Sequence, residues 1–235
     1  MKSKSEAEYQ IGVCVKETNQ ENGPGHVSAM LIRRKEGHTK VYHTSFYPGP
    51  FGSFVNGMTL GSVPVIGELA QDHKQDLEEA DHVLVASVSK ETFKGAKKGQ
   101  QSFSKDVVSG RRMYSVFGKD NPIAHGMTHL FSGYKGAQLT VAKHVKETGY
   151  EPPEDHCGIH VYDNDSHAEI KKGPLVDNCA SSVSHVLRKA GYKDFQNPKI
   201  PTFFTPELQK HGFVKMEKLD FMKEFDDING TSVKK

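Results

Sequence analysis

The sequence has little of what defines several large classes of protein. It contains only three cysteines, an odd number without a CxxC pair: Cys14, Cys157 and Cys179. It therefore predicts neither a disulfide framework nor a structural zinc site, and it fits a reducing compartment. Hydrophobic residues make up only 35% of the 235 residues, and no apolar run is long enough to cross a membrane. Residues 1–6 lack the apolar core of a signal peptide, so any export would need a route without a cleaved signal.

The chain also lacks an excess of charge of either sign. Its formal net charge is +2, which gives no overall field to attract nucleic acid or an anionic membrane. We expect no nucleic-acid partner and no transmembrane segment, and peripheral membrane contact stays open. Basic residues do cluster locally, and we expect these clusters to be solvated rather than binding patches: Lys94, Lys97 and Lys98, and Arg111 with Arg112.

The distribution of apolar residues predicts one α+β domain. A chain of this length can bury a sizeable core, and the low hydrophobic fraction predicts a modest core with long polar loops. We find no repeat or linker, so the domain is predicted to cover residues 1–230, with a disordered tail at 231–235. Apolar spacing predicts strands at 26–32, 40–47 and 82–88, a short helix at 68–79 and an irregular loop at 48–67.

The most informative chemical feature is Cys179, which stands where a helix should begin. Asp177 or Asn178 can cap the first turn, and Gly191 predicts a left-handed stop. A thiol at the positive end of a helix dipole ionises more readily than a free thiol. Between the cap and the stop, apolar residues recur at helical spacing: Val183, Val186, Leu187 and Ala190.

Two interpretations of Cys179 compete. A free cysteine is most often a small buried residue that only fills space in the core. Judged by its position alone, Cys179 fits this interpretation as well as it fits a nucleophile. The small polar neighbours Ser181 and Ser182 favour an accessible nucleophile. In that case the backbone N–H groups of Cys179 and Ala180, or the side chain of Asn178, would be donors to an oxyanion.

The other two cysteines are weaker candidates. Cys14 lies in an apolar segment and is expected to be core. Cys157 lies on a predicted strand between His156 and His160. Since side chains alternate along a strand, Cys157 would face away from both histidines. We therefore expect no metal site.

A thiol nucleophile needs a base and a group that orients it. We select His26, which follows Gly25 at the start of a predicted strand, as the base. His43 on the partner strand either supports His26 or replaces it. Asp72 is the favoured orienting acid, and Asp76, one helical turn away, is the alternative.

Aromatic residues in the predicted loop at 48–67 suggest a lid or a substrate wall. Phe51 and Phe54 are the residues that we expect to line it, next to Val55. A loop that packs over a site is a common carrier of binding residues.

Three segments in this order resemble the permuted papain-like (NlpC-like) superfamily, in which the histidine strand precedes the cysteine helix: residues 25–31, 45–49 and 178–191. Within it, the chain is similar to secreted effectors of intracellular bacteria and, more distantly, to the Rho-inactivation domain of large bacterial toxins. The resemblance implies an antiparallel sheet packed against the helix that carries the cysteine. It also implies Cys179 as nucleophile, His26 as base and Asp72 as orienting acid.

The same resemblance implies a reaction. Rho-inactivation relatives transfer a long-chain fatty acyl group from acyl-CoA to a lysine of a host small GTPase. Here Cys179 would form the thioester, with acyl-CoA as cosubstrate and no bound cofactor, after secretion into the host cytoplasm. Peptidases, amidases and deamidases of the superfamily use the same chemistry and remain alternatives, as does a non-catalytic binding module. Residues 100–174 match no pattern, and the oligomeric state stays unknown.

Overall fold

Strands and helices alternate along the part of the chain that the computed structural model describes, residues 7–59, 61, 63–118, 146 and 175–229. The strands are β1 (Glu8–Lys16), β2 (His26–Lys35), β3 (His38–Thr44), β4 (Phe46–Pro48), β5 (Val65–Leu69), β6 (His82–Ser87), β7 (Arg112–Tyr114), β8 (Leu175–Asp177) and β9 (Val214–Met216). The helices are α1 (Pro50–Met58), α2 (Lys74–Glu79), α3 (Lys90–Val108), α4 (Cys179–Ala190), α5 (Phe204–Lys210) and α6 (Lys218–Asn229), with a 3₁₀ turn at Pro201–Phe203. The protein is mixed α+β, as the sequence predicts.

The larger sheet is antiparallel throughout, in the order β3-β2-β1-β6-β9. On one face, alternate residues of β1 and β2 form a buried core against α4. The opposite face packs against α2 and α6, where Leu77 and Phe221 are buried. Because both faces are covered, the central strands are almost wholly apolar. The residues of the first face include Ile11, Val13, Val15, Val27, Ala29 and Leu31.

Helix α4 starts and ends where the sequence predicts. It begins at Cys179 and ends before Gly191, whose φ of 112° is the predicted left-handed stop. The predicted apolar stripe from Val183 to Ala190 is buried against the sheet. This packing places Cys179, the first residue of the helix, close to strand β2, which begins at His26.

A smaller sheet, in the order β4-β5-β7-β8, positions the start of α4. Strand β8 runs parallel to β7 and leads directly into the cysteine helix. The buried Arg112 of β7 hydrogen-bonds Asp177 of β8, and its Nη2 lies 3.1 Å from the Asp106 carboxylate. This arginine is thus paired and buried, which corrects the prediction of a solvated cluster at Arg111 and Arg112.

The prediction of an irregular loop at 48–67 is wrong. Pro50 begins α1, where a proline lacks no hydrogen bond that the helix needs. Residues 65–67 belong to β5, which pairs with β4 and β7. Strand β5 continues to Leu69, so the helix predicted at 68–79 is shorter than expected and begins at Lys74. The predicted strand at 40–47 is broken after Thr44, where the chain passes from one sheet to the other.

Among the described residues, no helix combines the length and the apolar composition that crossing a bilayer requires. The tail predicted to be disordered, 231–235, lies outside the described residues, as does most of the segment 100–174.

Two glycines give a test of the packing between α3 and α4. A Cβ at Gly95 would overlap the carbonyl oxygen of Lys189, whereas a Cβ at Gly57 of α1 would meet no atom within 4 Å. We expect Gly95→Ala to lower the free energy of unfolding by about 1–3 kcal/mol through overpacking. Gly57→Ala should raise it by about 0.5–1 kcal/mol, because alanine is the better helix former. Urea unfolding of both variants checks the prediction, and equal effects would contradict the packing.

Candidate active site

The first turn of α4 is fixed by a capping box. Asn178 Oδ1 accepts a hydrogen bond from the Ser181 backbone N–H at 2.8 Å, and Ser181 Oγ accepts one from the Asn178 N–H at 2.9 Å. Asn178 Nδ2 donates to the Val116 carbonyl at 2.9 Å. The Asn178 side chain therefore holds the turn, and this geometry gives it a capping role instead of the predicted oxyanion role.

The thiol of Cys179 lies among hydrogen-bond donors at the start of this turn. Its partners are the His26 ring and the backbone N–H groups of Val27 and Ala180. The residue is only 5% exposed, and this burial acts to raise the pKa of the thiol. The hydrogen bond and charge of His26, with the two N–H groups, outweigh burial and hold the pKa of Cys179 below its ordinary value.

The Ala180 N–H was predicted to donate to an oxyanion and instead donates to the sulfur in this state. The predicted position of Cys179 at the helix start is confirmed.

His26, at the start of β2, joins the sulfur to a carboxylate. Its Nε2 lies 2.7 Å from Ser45 Oγ and 3.8 Å from Asp76 Oδ1. Since Nε2 faces Ser45, Nδ1 is the ring nitrogen left for Cys179. Burial acts to lower the pKa of His26, but the contact with Cys179 and the nearby carboxylates outweigh it and raise the pKa. The two opposite shifts favour a thiolate–imidazolium pair.

The carboxylate behind His26 is Asp76 rather than Asp72. The Asp76 side chain is 15% exposed, and its Oδ2 lies 2.9 Å from His43 Nε2. Asp72 is 65% exposed, and its Oδ1 accepts a hydrogen bond from the Lys74 N–H at 2.9 Å. Because α2 begins only at Lys74, Asp72 precedes the helix and does not reach His26. The geometry thus favours the alternative acid over the one that the sequence favoured.

Charge and hydrogen bonds keep Asp76 ionised. Burial acts to raise the pKa of this carboxyl, but hydrogen bonds from His43 and Ser45 and the charge of His26 lower it to about 2. The Ser45 hydroxyl therefore accepts from the His26 ring and donates to Asp76. A linear relay results: His26 Nε2, Ser45 Oγ, Asp76.

Sequence reasoning missed Ser45 as a site residue and placed His43 only loosely. Ser45 is buried between β3 and β4, at the junction of the two sheets. His43 supports Asp76 and does not replace His26. Its other ring nitrogen, Nδ1, is buried without a hydrogen-bond partner in the described part of the structure. The sequence offered two signals for Ser45: it directly follows a strand, two residues after a histidine, and it begins the segment 45–49 that carries the resemblance.

A cleft of about 350 Å³ opens beside the relay. His26, Ser45 and Asp76 line it, whereas Cys179 is not among its lining residues. The cleft thus gives access to the imidazole and the carboxylate, and the sulfur lies buried next to them. Its other lining residues include Lys16, Tyr47, Asp72 and Glu79.

A separate apolar groove of about 600 Å³ lies along α1 and β5. Val55 lines it, whereas Phe54 is 66% exposed and is not part of its wall. Phe51 lies in the first turn of α1, and its side chain lies outside the described part of the structure. The residues that line this groove include Pro50, Gly52, Val65, Ile66 and Met113.

In the described residues, no group of three histidine, cysteine or acidic side chains is placed to hold a metal ion. The segment from His156 to His160, with Cys157, lies outside the described residues.

The two aspartates allow a matched test of the relay. The lowered pKa of Asp76 means that its stabilising effect is present above the unfolded value near 3.8 and is lost as pH falls towards 2. We expect Asp76→Asn to lower the free energy of unfolding by about 2 kcal/mol at pH 7 and by about half as much at pH 3. Asp72→Asn should change it by less than about 0.5 kcal/mol, since asparagine also caps helices. Urea unfolding at both pH values measures this, and a loss independent of pH would contradict it.

The thiolate–imidazolium pair predicts a reactive Cys179. Free cysteine ionises with a pKa near 8.5. We expect the rate at which iodoacetamide alkylates Cys179 to reach half its maximum at a lower pH than that. His26→Gln should move this midpoint upward, because the imidazolium no longer stabilises the thiolate. Peptide mass spectrometry separates the sites, and Cys14, whose pKa burial raises, is the internal control. An unchanged profile in His26→Gln would refute the pairing.

Comparisons of the chain with family models, with curated proteins and with solved structures find no match in any of the three. No relative therefore supplies a residue role or a substrate. The description of the site depends on its geometry: a thiol, an imidazole and a carboxylate connected through one hydroxyl.

Proposed function

We propose that the protein is a cysteine enzyme of acyl transfer with a permuted papain-like fold. The observation that carries this proposal is the hydrogen bond between Cys179, at the start of α4, and His26, at the start of β2. The order of these elements, the antiparallel sheet and the helix packed on it support the fold assignment. The opposite pKa shifts of the two side chains support a nucleophilic thiolate at neutral pH.

The relay defines how the two half-reactions would proceed. The Cys179 thiolate attacks the carbonyl carbon of an acyl thioester, the new C–S bond forms, and the coenzyme A thiolate leaves and takes the proton of the His26 imidazolium. An amine then attacks the acyl-enzyme, His26 accepts its proton, and the Cys179 thiolate leaves as the amide forms. Ser45 and Asp76 orient the ring and stabilise its charged form, which is present before the first half-reaction and again after the second.

The proposed donor is a fatty acyl-CoA, and the proposed acceptor is a lysine of a host protein such as a small GTPase. The apolar groove supports a long acyl chain. Tyr47 of β4 lines the cleft, and Glu68, its partner in β5, lines the groove. The two cavities therefore adjoin the same pair of strands. No resident cofactor is proposed.

Secretion into the host cytoplasm without a cleaved signal, and peripheral contact with a membrane, belong to the same proposal. They depend on the resemblance of the histidine and cysteine segments to bacterial effectors.

Specific observations favour two other functions. The cleft beside His26 has charged walls, including Lys16 and Glu79, which favours a polar substrate and therefore a peptidase, amidase or deamidase with water as acceptor. The burial of Cys179 favours a binding module that retains the fold without turnover. Thiol reactivity separates the second of these from both enzymes.

The test is incubation of wild type, Cys179→Ala and His26→Gln with palmitoyl-CoA and a purified small GTPase. We expect a hydroxylamine-sensitive adduct on Cys179 and a stable amide on a GTPase lysine, both read by mass spectrometry. Cys179→Ala should abolish both, and His26→Gln should slow lysine acylation at least about a hundredfold, the usual contribution of a general base.

Glu78→Gln is the matched control, since Glu78 is exposed on α2 and does not line the cleft, and it should leave the rate within about twofold of wild type. An adduct on Cys179 that is released only to water would replace the transferase by the hydrolase. If the thiol is unreactive and no lysine is modified, the binding module is the better description.

A further inference from the structure

A second cavity, of about 760 Å³, lies where α3 begins and β2 ends. Five of its lining side chains are cationic, and among the described lining residues only Glu91 is acidic. We term this cavity the basic pocket. Its cationic residues are Arg33 and Lys35 of β2 and Lys90, Lys94 and Lys97 of α3.

Both elements direct cations into this cavity for simple geometric reasons. Alternate residues of β2 up to Leu31 are buried under α4, and the next two on that face are Arg33 and Lys35. On α3 the three lysines recur at intervals of four and three residues, which places them on one side of the helix. The pocket therefore begins where the apolar core ends.

Within the described residues, these charges have little compensation. Among the described residues, no carboxylate lies within ion-pairing distance of Arg33, Lys90, Lys94 or Lys97, and Lys35 pairs only with its neighbour Glu36 at 3.5 Å. The Nε of Arg33 is buried and has no hydrogen-bond partner in the described residues. A buried N–H without an acceptor is costly, so Arg33 keeps a donor that the described residues leave unsatisfied.

The pocket is also partly ordered in advance. Lys97 Nζ donates to the Tyr42 hydroxyl at 3.0 Å and lies 4.1 Å from the centre of the Tyr42 ring. Tyr9 and Phe93 pack together behind it at 5.0 Å between ring centres. The first turn of α3 adds its free N–H groups at the rim. Lysines on a helix are usually only solvated, but solvated lysines do not explain the buried Arg33 Nε.

We propose that the basic pocket binds a ligand with two or more phosphate groups, either the headgroup of a phosphoinositide or a free inositol phosphate. Phosphate oxygens match the donors of arginine and lysine in charge and geometry. Several phosphates are required to balance five cations. The pocket lies towards the opposite end of β2 from His26. Its residues Arg33 and Lys35 are seven and nine residue steps from His26 along the strand, roughly 23 and 30 Å, so it is a site separate from the candidate active site.

Binding of inositol trisphosphate by calorimetry and of phosphatidylinositol bisphosphate vesicles by sedimentation tests this site. The double variant Lys94→Glu/Lys97→Glu should weaken both at least about tenfold. The control Lys193→Glu/Lys215→Glu makes the same charge change at exposed positions elsewhere and should stay within about twofold. Arg33→Gln removes a single cation and gives a second variant if the double variant does not fold, which circular dichroism reports.

The two ligands distinguish the sources of the phosphate groups. If the protein binds vesicles but not the free headgroup, the ligand is a membrane lipid. If it binds the free headgroup, a soluble inositol phosphate is sufficient to occupy the pocket. Three results would overturn the site: no binding of either ligand, equal weakening in the control variant, or equal affinity for phosphatidylserine vesicles of matched charge.

Discussion

The hydrogen bond between Cys179 and His26 is the contact on which the candidate chemistry depends. It joins residues 153 positions apart in the sequence, and neither helix α4 nor strand β2 would place its residue correctly without the other. The apolar stripe of α4 sets the height of the helix over the sheet, and the paired Arg112 and Asp177 fix where the helix begins. Much of the fold thus serves to bring one sulfur to one ring.

The ion pair of Cys179 and His26 forms even though burial opposes the charge on both groups. Burial disfavours a charged thiol and a charged imidazole alike, and each group is stabilised first by the hydrogen bond to the other and then by its charge. The Ser45 hydroxyl and the Asp76 carboxylate extend the stabilisation through a second pair of strands and helix α2. His43 completes it from β3, so three separate elements support the charge of one ring.

The sequence was sufficient to predict features that depend on local spacing. The helix from Cys179 to Gly191, the strand that begins at His26 and the mixed α+β class follow from periodicity and from residues that start or stop helices. Local spacing could not decide between Asp72 and Asp76, because that choice depends on where α2 begins. Ser45 was missed because its role comes from the meeting of two sheets. The helix at Pro50 was hidden by glycines that usually mark loops.

A thiolate in contact with solvent is consumed by disulfide exchange and by peroxide. At 5% exposure in this state, Cys179 offers little surface to a large reagent, and oxidised glutathione and an acyl-CoA meet the same barrier. Disulfide exchange requires the attacking sulfur, the disulfide and the leaving sulfur to come into contact, and the walls of the first helical turn hinder this approach. The burial that opposes ionisation therefore also limits loss of the nucleophile to disulfide exchange.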